Sequence, residues 1–319
     1  MTLLALLATD DEKHARDELA HAEWGERLTL AQFRAREHAL RGSAWAQRGM
    51  ETWLLADDDD PSRRPLASLE TFTVESRHGI RHGRSFAIAS VLTEPSLRKR
   101  GHATRLLREV AAILGERRGA QALTLYSDVG AAMYEVVGYE ALPAFDWVLP
   151  AARDPVTGVT RADDSAVAAV LAAHPPRGRF ALLPDAAQVE WHRQRERIYA
   201  RLFGAPIVRH PVLSCDGGEA IIAADHKLSR LVVLAMFVRD VDAALRLWCA
   251  CADEAAIAGL TVVTSWASPV ADMAVRAAIR QLGGTCIARD GAIPMIRGLR
   301  GAPAVRAASW TGVSRVLWV

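Results

Sequence analysis

Residues 87–103 read Ala-Ile-Ala-Ser-Val-Leu-Thr-Glu-Pro-Ser-Leu-Arg-Lys-Arg-Gly-His-Ala. The apolar run, which ends at Pro95, is typical of a buried strand. It is followed by Arg98-x-x-Gly101-x-Ala103, which leads directly into a helical pattern. Glycine lets the backbone turn and come close to a ligand, and the amides at a helix N-terminus bind phosphate. The stretch therefore predicts a diphosphate site, with an ordinary strand–helix turn as the alternative.

A second segment with the order strand, turn, helix follows at residues 125–139, Leu-Tyr-Ser-Asp-Val-Gly-Ala-Ala-Met-Tyr-Glu-Val-Val-Gly-Tyr. Upstream of both segments, a first strand is followed by a capping box at Thr9–Glu12 that opens a helix to about residue 24, and a helical pattern covers about residues 29–40. A mostly antiparallel set of strands is predicted over residues 50–56, 65–75 and 86–93, with a further strand over 122–127. The last strand of this half is predicted over residues 139–149. This order indicates a mixed α/β fold in which helices flank a mostly antiparallel sheet.

The second half of the chain repeats the order of the first. Strands are predicted at 219–224, 231–238 and 260–266 and near Cys286 and Ile293, with helices over 241–258 and 270–282. We therefore predict two domains, 1–150 and 151–319. Where the second copy should carry a phosphate loop stands Arg239-Asp-Val-Asp-Ala-Ala-Leu, without glycine and with two carboxylates that would repel a diphosphate. Helices are also predicted over 161–173 and over 191–203, the latter as a solvated bridge, with direct contact to the substrate as the alternative.

Composition excludes several classes of protein. The 319 residues are 50% hydrophobic and 24% charged, which is typical of a core-forming globular chain and excludes wholesale disorder. A net charge of +2 is too small for a dedicated nucleic-acid binder. The four cysteines lack zinc-site spacing, so no metal is expected. No signal peptide or membrane span is evident, and we expect a cytoplasmic protein of open oligomeric state that contacts no membrane.

Together the two segments resemble the GNAT superfamily of acetyl-CoA-dependent N-acetyltransferases. Residues 98–103 look like its [QR]-x-x-G-x-[GA] signature, and Ala132-Met-Tyr-Glu-Val-Val-Gly-Tyr139 looks like its A-x-x-Y-E-x-x-G-[FY] segment, with one residue fewer. The resemblance covers about residues 1–150. Short segments are also similar to fungal lysine N6-acetyltransferase-like proteins with a C-terminal extension; they lie at 8–12, 24–25, 69–71, 89–95, 125–128 and 191–199.

The resemblance implies transfer of an acetyl group from acetyl-CoA to a primary amine, without a metal. A small amine such as the lysine side chain is favoured. A polyamine, an aminoglycoside-like amine and a protein lysine remain alternatives. A non-catalytic acyl-CoA-binding module is an alternative of another class. The second domain is expected to be GNAT-like but unable to bind CoA, and to close off the acceptor pocket.

The resemblance also implies roles for particular residues. Tyr134 would give a proton to the departing thiolate, with simple helix packing as the alternative. Glu70 is the first candidate for the base, and Glu94 and Asp128 are others. The residues expected to hold acetyl-CoA are Val91, Leu92, Thr93, Arg98, Lys99, Arg100, Gly101, His102, Ala103 and Thr104.

Overall fold

A computed structural model describes residues 3–60, 62–267, 273–299, 305–310 and 313–318. The strands are β1 (Leu3–Leu7), β2 (Glu51–Asp57), β3 (Ala67–His78), β4 (Arg81–Leu92), β5 (Ala122–Ser127), β6 (Glu140–Ala141), β7 (Phe145–Pro150), β8 (Thr160–Ala162), β9 (Phe180–Leu182), β10 (Val212–Cys215), β11 (Gly218–Asp225), β12 (Arg230–Val238), β13 (Val262–Ala267), β14 (Thr285–Ala288) and β15 (Ile293–Gly298). The helices are α1 (Asp10–Trp24), α2 (Leu30–Arg41), α3 (Ala44–Gln47), α4 (His102–Ala112), α5 (Ala132–Glu135), α6 (Val167–Ala173), α7 (Ala186–Phe203), α8 (Val241–Ile257) and α9 (Met273–Gln281).

The first helices begin where the sequence provides side-chain caps. Thr9 accepts a hydrogen bond from the Glu12 amide, and the Glu12 carboxylate accepts one from the Thr9 amide at 2.7 Å. Thr29 and Gln32 form the same reciprocal pair at the start of α2. Each pair satisfies amides that a helix N-terminus leaves unpaired, so both helices begin next to the predicted residue.

The strands form two sheets that share one arrangement. The first has the order β1-β2-β3-β4-β5-β15-β6, with β9 also paired to β3, and the second has the order β8-β10-β11-β12-β13-β7-β14. Within each sheet one pair is parallel, β4 with β5 and β12 with β13, and the other strand pairs of the described residues are antiparallel. The predicted fold class, a mixed and mostly antiparallel sheet followed by a second copy, is confirmed.

Each sheet takes strands from the other side of residue 150. Strand β7, predicted as the last strand of the first domain, pairs with β13 and β14 in the second sheet. Strand β15 lies between β5 and β6 in the first sheet, and β9 also joins that sheet. The two halves are therefore intertwined by a reciprocal exchange of strands. The division at residue 150 stays a prediction, but the sheets do not separate there.

Helix α7 corrects one expectation from the sequence. It was predicted as a solvated bridge, yet several of its side chains are buried, among them Trp191, His192, Arg193 and Glu196. The Glu196 carboxylate accepts hydrogen bonds from the Val208 and Ala224 amides at 2.6 and 3.1 Å and forms an ion pair with Arg193. These internal partners allow a charge-rich helix to lie between the two sheets.

Apolar side chains fill both faces of each sheet. Helix α4 covers one face of the first sheet with Leu106, Leu107 and Val110, and the other face packs against α3 and α7 through Trp45 and Trp191. Helices α8 and α9 cover the second sheet, whose other face meets α6 and α7. Among the described residues, no helix has both the length and the apolar character needed to cross a membrane. Residues 270–272, the predicted start of α9, lie outside the described part.

Candidate active site

The strands β4 and β5 diverge and open a cleft. Their parallel register runs only from Phe86–Leu123 to Ile88–Leu125. Beyond that point β4 carries a bulge, because its register with β3 shifts between Ala89 and Leu92. Ser90, inside the bulge, has a φ of 51°, a left-handed conformation that is strained for a residue other than glycine. The bulge turns peptide groups of β4 away from the regular ladder and toward the cleft.

Arg16 of α1 holds this bulge in place, and sequence reading missed it. Its side chain is 2% exposed. It donates from Nε to Ser68 Oγ at 2.9 Å, from Nη1 to Glu70 Oε1 at 3.0 Å and from Nη2 to the Ser90 carbonyl at 2.8 Å. A single arginine in a charge-rich helix looks solvated in the sequence, so only the tertiary contacts identify it.

Gly101 begins α4 at the mouth of the cleft. Its φ of 80° is left-handed, and no side chain caps the helix. The first helical hydrogen bond is donated by the Arg105 amide to the Gly101 carbonyl at 2.9 Å. The amides of His102, Ala103 and Thr104 precede that bond and are not satisfied within the helix. These amides lie at the positive end of the dipole of α4 and face the cleft, as a diphosphate site requires.

The basic residues before Gly101 occupy different positions. Arg98 donates from Nε to the Thr93 carbonyl at 3.2 Å and forms an ion pair with Glu23 of α1, which fixes the loop against α1. Lys99 lines the cleft with a φ of 63°. Arg100 is exposed and does not line the cleft. Of these three predicted contacts, Lys99 is therefore the best placed to reach a bound anion.

The remaining predicted residues lie along one cavity of about 1050 Å³. The residues of the predicted cofactor set that line it are Val91, Leu92, Thr93, Arg98, Lys99, Gly101, His102, Ala103 and Thr104. Leu92 is buried and also packs against Phe33 and Tyr199. The cavity thus joins the bulged edge of β4 to the N-terminus of α4. Among the described residues, no group of three or more His, Cys, Asp or Glu side chains could hold a metal ion.

Tyr134 of α5 lines the same cavity and is 6% exposed. Burial, with a smaller contribution from Asp128, raises the pKa of Tyr134 to about 12. The phenol is therefore protonated at neutral pH and can donate a proton or a hydrogen bond. Its neighbour Tyr139, with ring centroids 6.0 Å apart, is also buried, and its hydroxyl has no hydrogen-bond partner among the described residues.

The three candidate bases differ in position. Glu70 lines the cavity, 4% exposed, with Oε1 also 3.6 Å from Arg41 Nη2. Asp128 lines it too and accepts a hydrogen bond from the Ala292 amide at 2.8 Å. Glu94 does not line the cavity. Its carboxylate accepts hydrogen bonds from Ser96 and Arg64, which lower its pKa. The structure thus brings Glu70 and Asp128, but not Glu94, into the cavity that holds Tyr134.

In the described part of the second half, the N-terminus of α8, the counterpart of α4, does not form an equivalent anion site. Asp240 caps α8 by accepting a hydrogen bond from the Ala243 amide at 2.9 Å. That bond, with help from Arg239, lowers the pKa of Asp240. The carboxylate therefore occupies the helix N-terminus where a phosphate would bind, and its charge repels one.

The sequence matches no protein-family model and no curated protein. Solved structures are similar to the whole chain. One is a GCN5-related N-acetyltransferase from Anabaena variabilis, with TM-score 0.63, 13% identity, and coverage of 93% of this chain and 72% of that chain. Another is a GCN5-related N-acetyltransferase from Kribbella flavida, with TM-score 0.59, 17% identity, and coverage of 93% of this chain and 71% of that chain. A third is a tandem GNAT protein from the clavulanic acid biosynthesis pathway, with TM-score 0.54, 15% identity, and coverage of 95% of this chain and 100% of that chain. At these identities the similarity shows the fold, two GNAT-like units in tandem.

Proposed function

We propose that the chain is an acetyl-CoA-dependent N-acetyltransferase whose acceptor is a primary amine, with the lysine side chain favoured. One observation carries this proposal: the bulge of β4, the uncapped N-terminus of α4 and the buried phenol of Tyr134 line a single cavity. Each serves a different part of a thioester substrate, and together they cover its diphosphate, its carbonyl and its sulfur. The short segments similar to fungal lysine N6-acetyltransferase-like proteins favour lysine.

The first half would bind acetyl-CoA as a substrate. The amides of His102, Ala103 and Thr104 bind the diphosphate, and the open space at Gly101, where an added Cβ would meet no atom within 4 Å, leaves room for its approach. Lys99 adds a cation at the same end of the cavity. The edge of β4 at residues 91–93, which β5 leaves unpaired, binds the amide-containing arm.

The chemistry follows from the acidity of amines. A lysine-type ammonium has a pKa of about 10.4, so it must lose a proton before it can attack. Glu70 is the base in this proposal, directly or through water. The amine nitrogen then forms a bond to the thioester carbonyl carbon, and an amide of the bulge stabilises the oxyanion. The carbon–sulfur bond breaks and Tyr134 gives its proton to the thiolate, while the second proton that the attacking nitrogen loses restores the phenol through water.

The test is a transfer assay with the full chain. Acetyl-CoA is incubated with lysine, a polyamine, an aminoglycoside or an unfolded protein, and released thiol and acetylated product are measured by absorbance and mass spectrometry. The proposal requires an acetylated small amine with lysine among the best acceptors. Acetylation of the protein alone would overturn the small-amine assignment. Binding of acetyl-CoA without turnover of any acceptor would instead favour the binding module.

A further inference from the structure

Four arginines from the second half of the chain line the cavity that holds Tyr134. They are Arg195 of α7, Arg230 of β12, Arg289 after β14 and Arg315 near the last described residues. Two carboxylates lie among them. Asp225 Oδ2 is 3.1 Å from Arg230 Nη2, and Asp146 Oδ1 is 3.3 Å from Arg289 Nε. Neither Arg195 nor Arg315 forms an ion pair with a described residue. We call these four arginines the arginine cluster.

The opposite wall of the cavity has no such excess of charge. There Arg16, Arg36 and Arg41 face Asp17, Glu37 and Glu70, three cations against three anions. They are joined by ion pairs such as Arg16–Glu70 at 3.0 Å. The arginine cluster instead has four cations against two anions. Excess buried charge of one sign is costly unless a partner of the other sign binds.

Aromatic rings hold the faces of the guanidinium groups. Arg315 lies 4.9 Å above the Trp266 ring and 4.3 Å above the Trp318 ring, and Arg195 lies 4.6 Å above Trp318. Arg289 lies 4.2 Å above Trp266. Stacking satisfies the faces but leaves the N–H groups at the edges without acceptors.

Several of those edge groups are buried without a hydrogen bond. Arg315 Nε and Arg289 Nε and Nη1 have no acceptor among the described residues, although Arg289 Nε is close to Asp146. Burial lowers the pKa of Arg195, Arg289 and Arg315, the last to about 9. These donors are fixed by stacking and face a cavity, as in a site that awaits a planar anion.

From this geometry we propose that the arginine cluster binds a carboxylate of the acceptor, so that the substrate class is an amine that also carries a carboxylate. The proposal rests on the proposed acetyl transfer, whose acceptor it specifies. Asp128, which lines the cavity with Tyr134, accepts a hydrogen bond from the Ala292 amide, three residues after Arg289, so the cluster lies next to the reacting end. Asp128, Asp290 and Lys227 also line this side of the cavity, so five cations face four carboxylates and the excess is one positive charge. That matches the single charge of a carboxylate better than a phosphate dianion.

The test compares pairs of amines that differ in one anionic group, a carboxylate in two pairs and a phosphate in the third. Lysine is paired with 1,5-diaminopentane and ornithine with 1,4-diaminobutane, and O-phosphoethanolamine is paired with ethanolamine. The kcat/KM of each is measured for the wild type, Arg315→Gln, Arg195→Gln and the exposed control Arg239→Gln. Calorimetry with the CoA-saturated protein measures binding of the same amines without turnover. The affinity for acetyl-CoA and the thermal unfolding midpoint report whether each variant is folded.

The wild type and Arg239→Gln should prefer the carboxylate-bearing member of a pair by about tenfold or more, the value of one charge-assisted hydrogen bond. Arg315→Gln and Arg195→Gln should lose most of that preference while acetyl-CoA binds as before. Turnover without any preference, preference retained in both variants, or preference for the phosphorylated amine would overturn the inference and leave the proposed function intact. If the wild type binds lysine in calorimetry without acetylating it, and Arg315→Gln loses that binding, the proposed function is overturned and the inference about the arginine cluster stands.

Discussion

Replacement of Gly101 by alanine tests the anion site at the start of α4. The φ of 80° at Gly101 is left-handed, and an added Cβ would meet no atom within 4 Å, so the substitution causes backbone strain and no clash. Such a conformation costs about 1–2 kcal/mol in a residue with a side chain. If the loop relaxes to relieve the strain, the amides of residues 102–104 move away from the diphosphate. The affinity for acetyl-CoA should then fall by about 5- to 30-fold.

A matched control separates strain from binding. Gly119 has a φ of 64° and equally open space at its Cβ position, but it does not line the cavity. Calorimetry with acetyl-CoA and thermal unfolding are measured for Gly101→Ala and Gly119→Ala. Both variants should lose similar stability, and Gly101→Ala alone should lose affinity. Wild-type affinity in Gly101→Ala, or an equal loss in Gly119→Ala, would refute the reasoning.

Three further predictions follow from the site and from α7. Tyr134→Phe should lower kcat about 100-fold with little change in the KM for acetyl-CoA, whereas Tyr139→Phe, whose hydroxyl has no partner, should keep kcat; equal losses would contradict the acid role. Glu70→Gln should lower kcat about 100-fold, while Glu94→Gln, whose side chain lies outside the cavity, should keep it; equal kcat values in the two variants would contradict the base role. Burial lowers the pKa of His192 to about 3, so below its ordinary value the unfolded chain binds a proton that the folded chain does not. The free energy of unfolding should therefore fall as the pH drops from about 6.5 toward 3, by up to about 1.4 kcal/mol per pH unit. His192→Gln should remove that part of the slope in urea unfolding, and an unchanged slope would contradict it.

Local signals in the sequence predict much of the fold. The capping box at Thr9 and the helical pattern that starts at about Thr29 place two helix starts correctly, and the apolar patterns of the strands locate β2, β3 and β5. The exchange of β7 and β15 is not a local property. Both strands carry the pattern of a half-buried strand, and either sheet could accommodate that pattern, so only tertiary packing decides the partner.

The prediction failed where charged residues are buried. Residues 161–173 are predicted to form one helix, but α6 begins only at Val167, and residues 161 and 162 belong to β8, which pairs with β10. Helix α7 was predicted to be solvated because it is rich in arginine, yet Arg193 and Glu196 satisfy each other in the interior. Burial of a charge depends on a partner supplied by the fold, and such partners lie far apart in the chain.

In the candidate site, too, residues in short motifs are predictable from the sequence, and residues that act through tertiary contacts are not. Gly101 and Tyr134 lie in recognisable motifs, and the structure brings both to one cavity. Arg16 carries no motif, since it acts through Ser68 and Glu70, more than 50 positions away. The members of the arginine cluster come from four separate segments of the chain, so no short motif contains them. A catalytic framework is thus readable from short segments, whereas the residues that shape the bulge and the acceptor end are not.

The most direct test of the account compares thioesters by calorimetry with the full chain. Acetyl-CoA carries the diphosphate that the amides of α4 should bind, and S-acetylpantetheine has the same thioester and arm but lacks the diphosphate and the nucleotide beyond it. S-acetyl-4′-phosphopantetheine, which keeps one phosphate, shows how much of the difference comes from the phosphate groups. Acetyl-CoA should bind at least about 100-fold more tightly than S-acetylpantetheine, as expected when several charge-assisted hydrogen bonds are lost together. Equal affinities, or no heat with acetyl-CoA, would contradict the central claim.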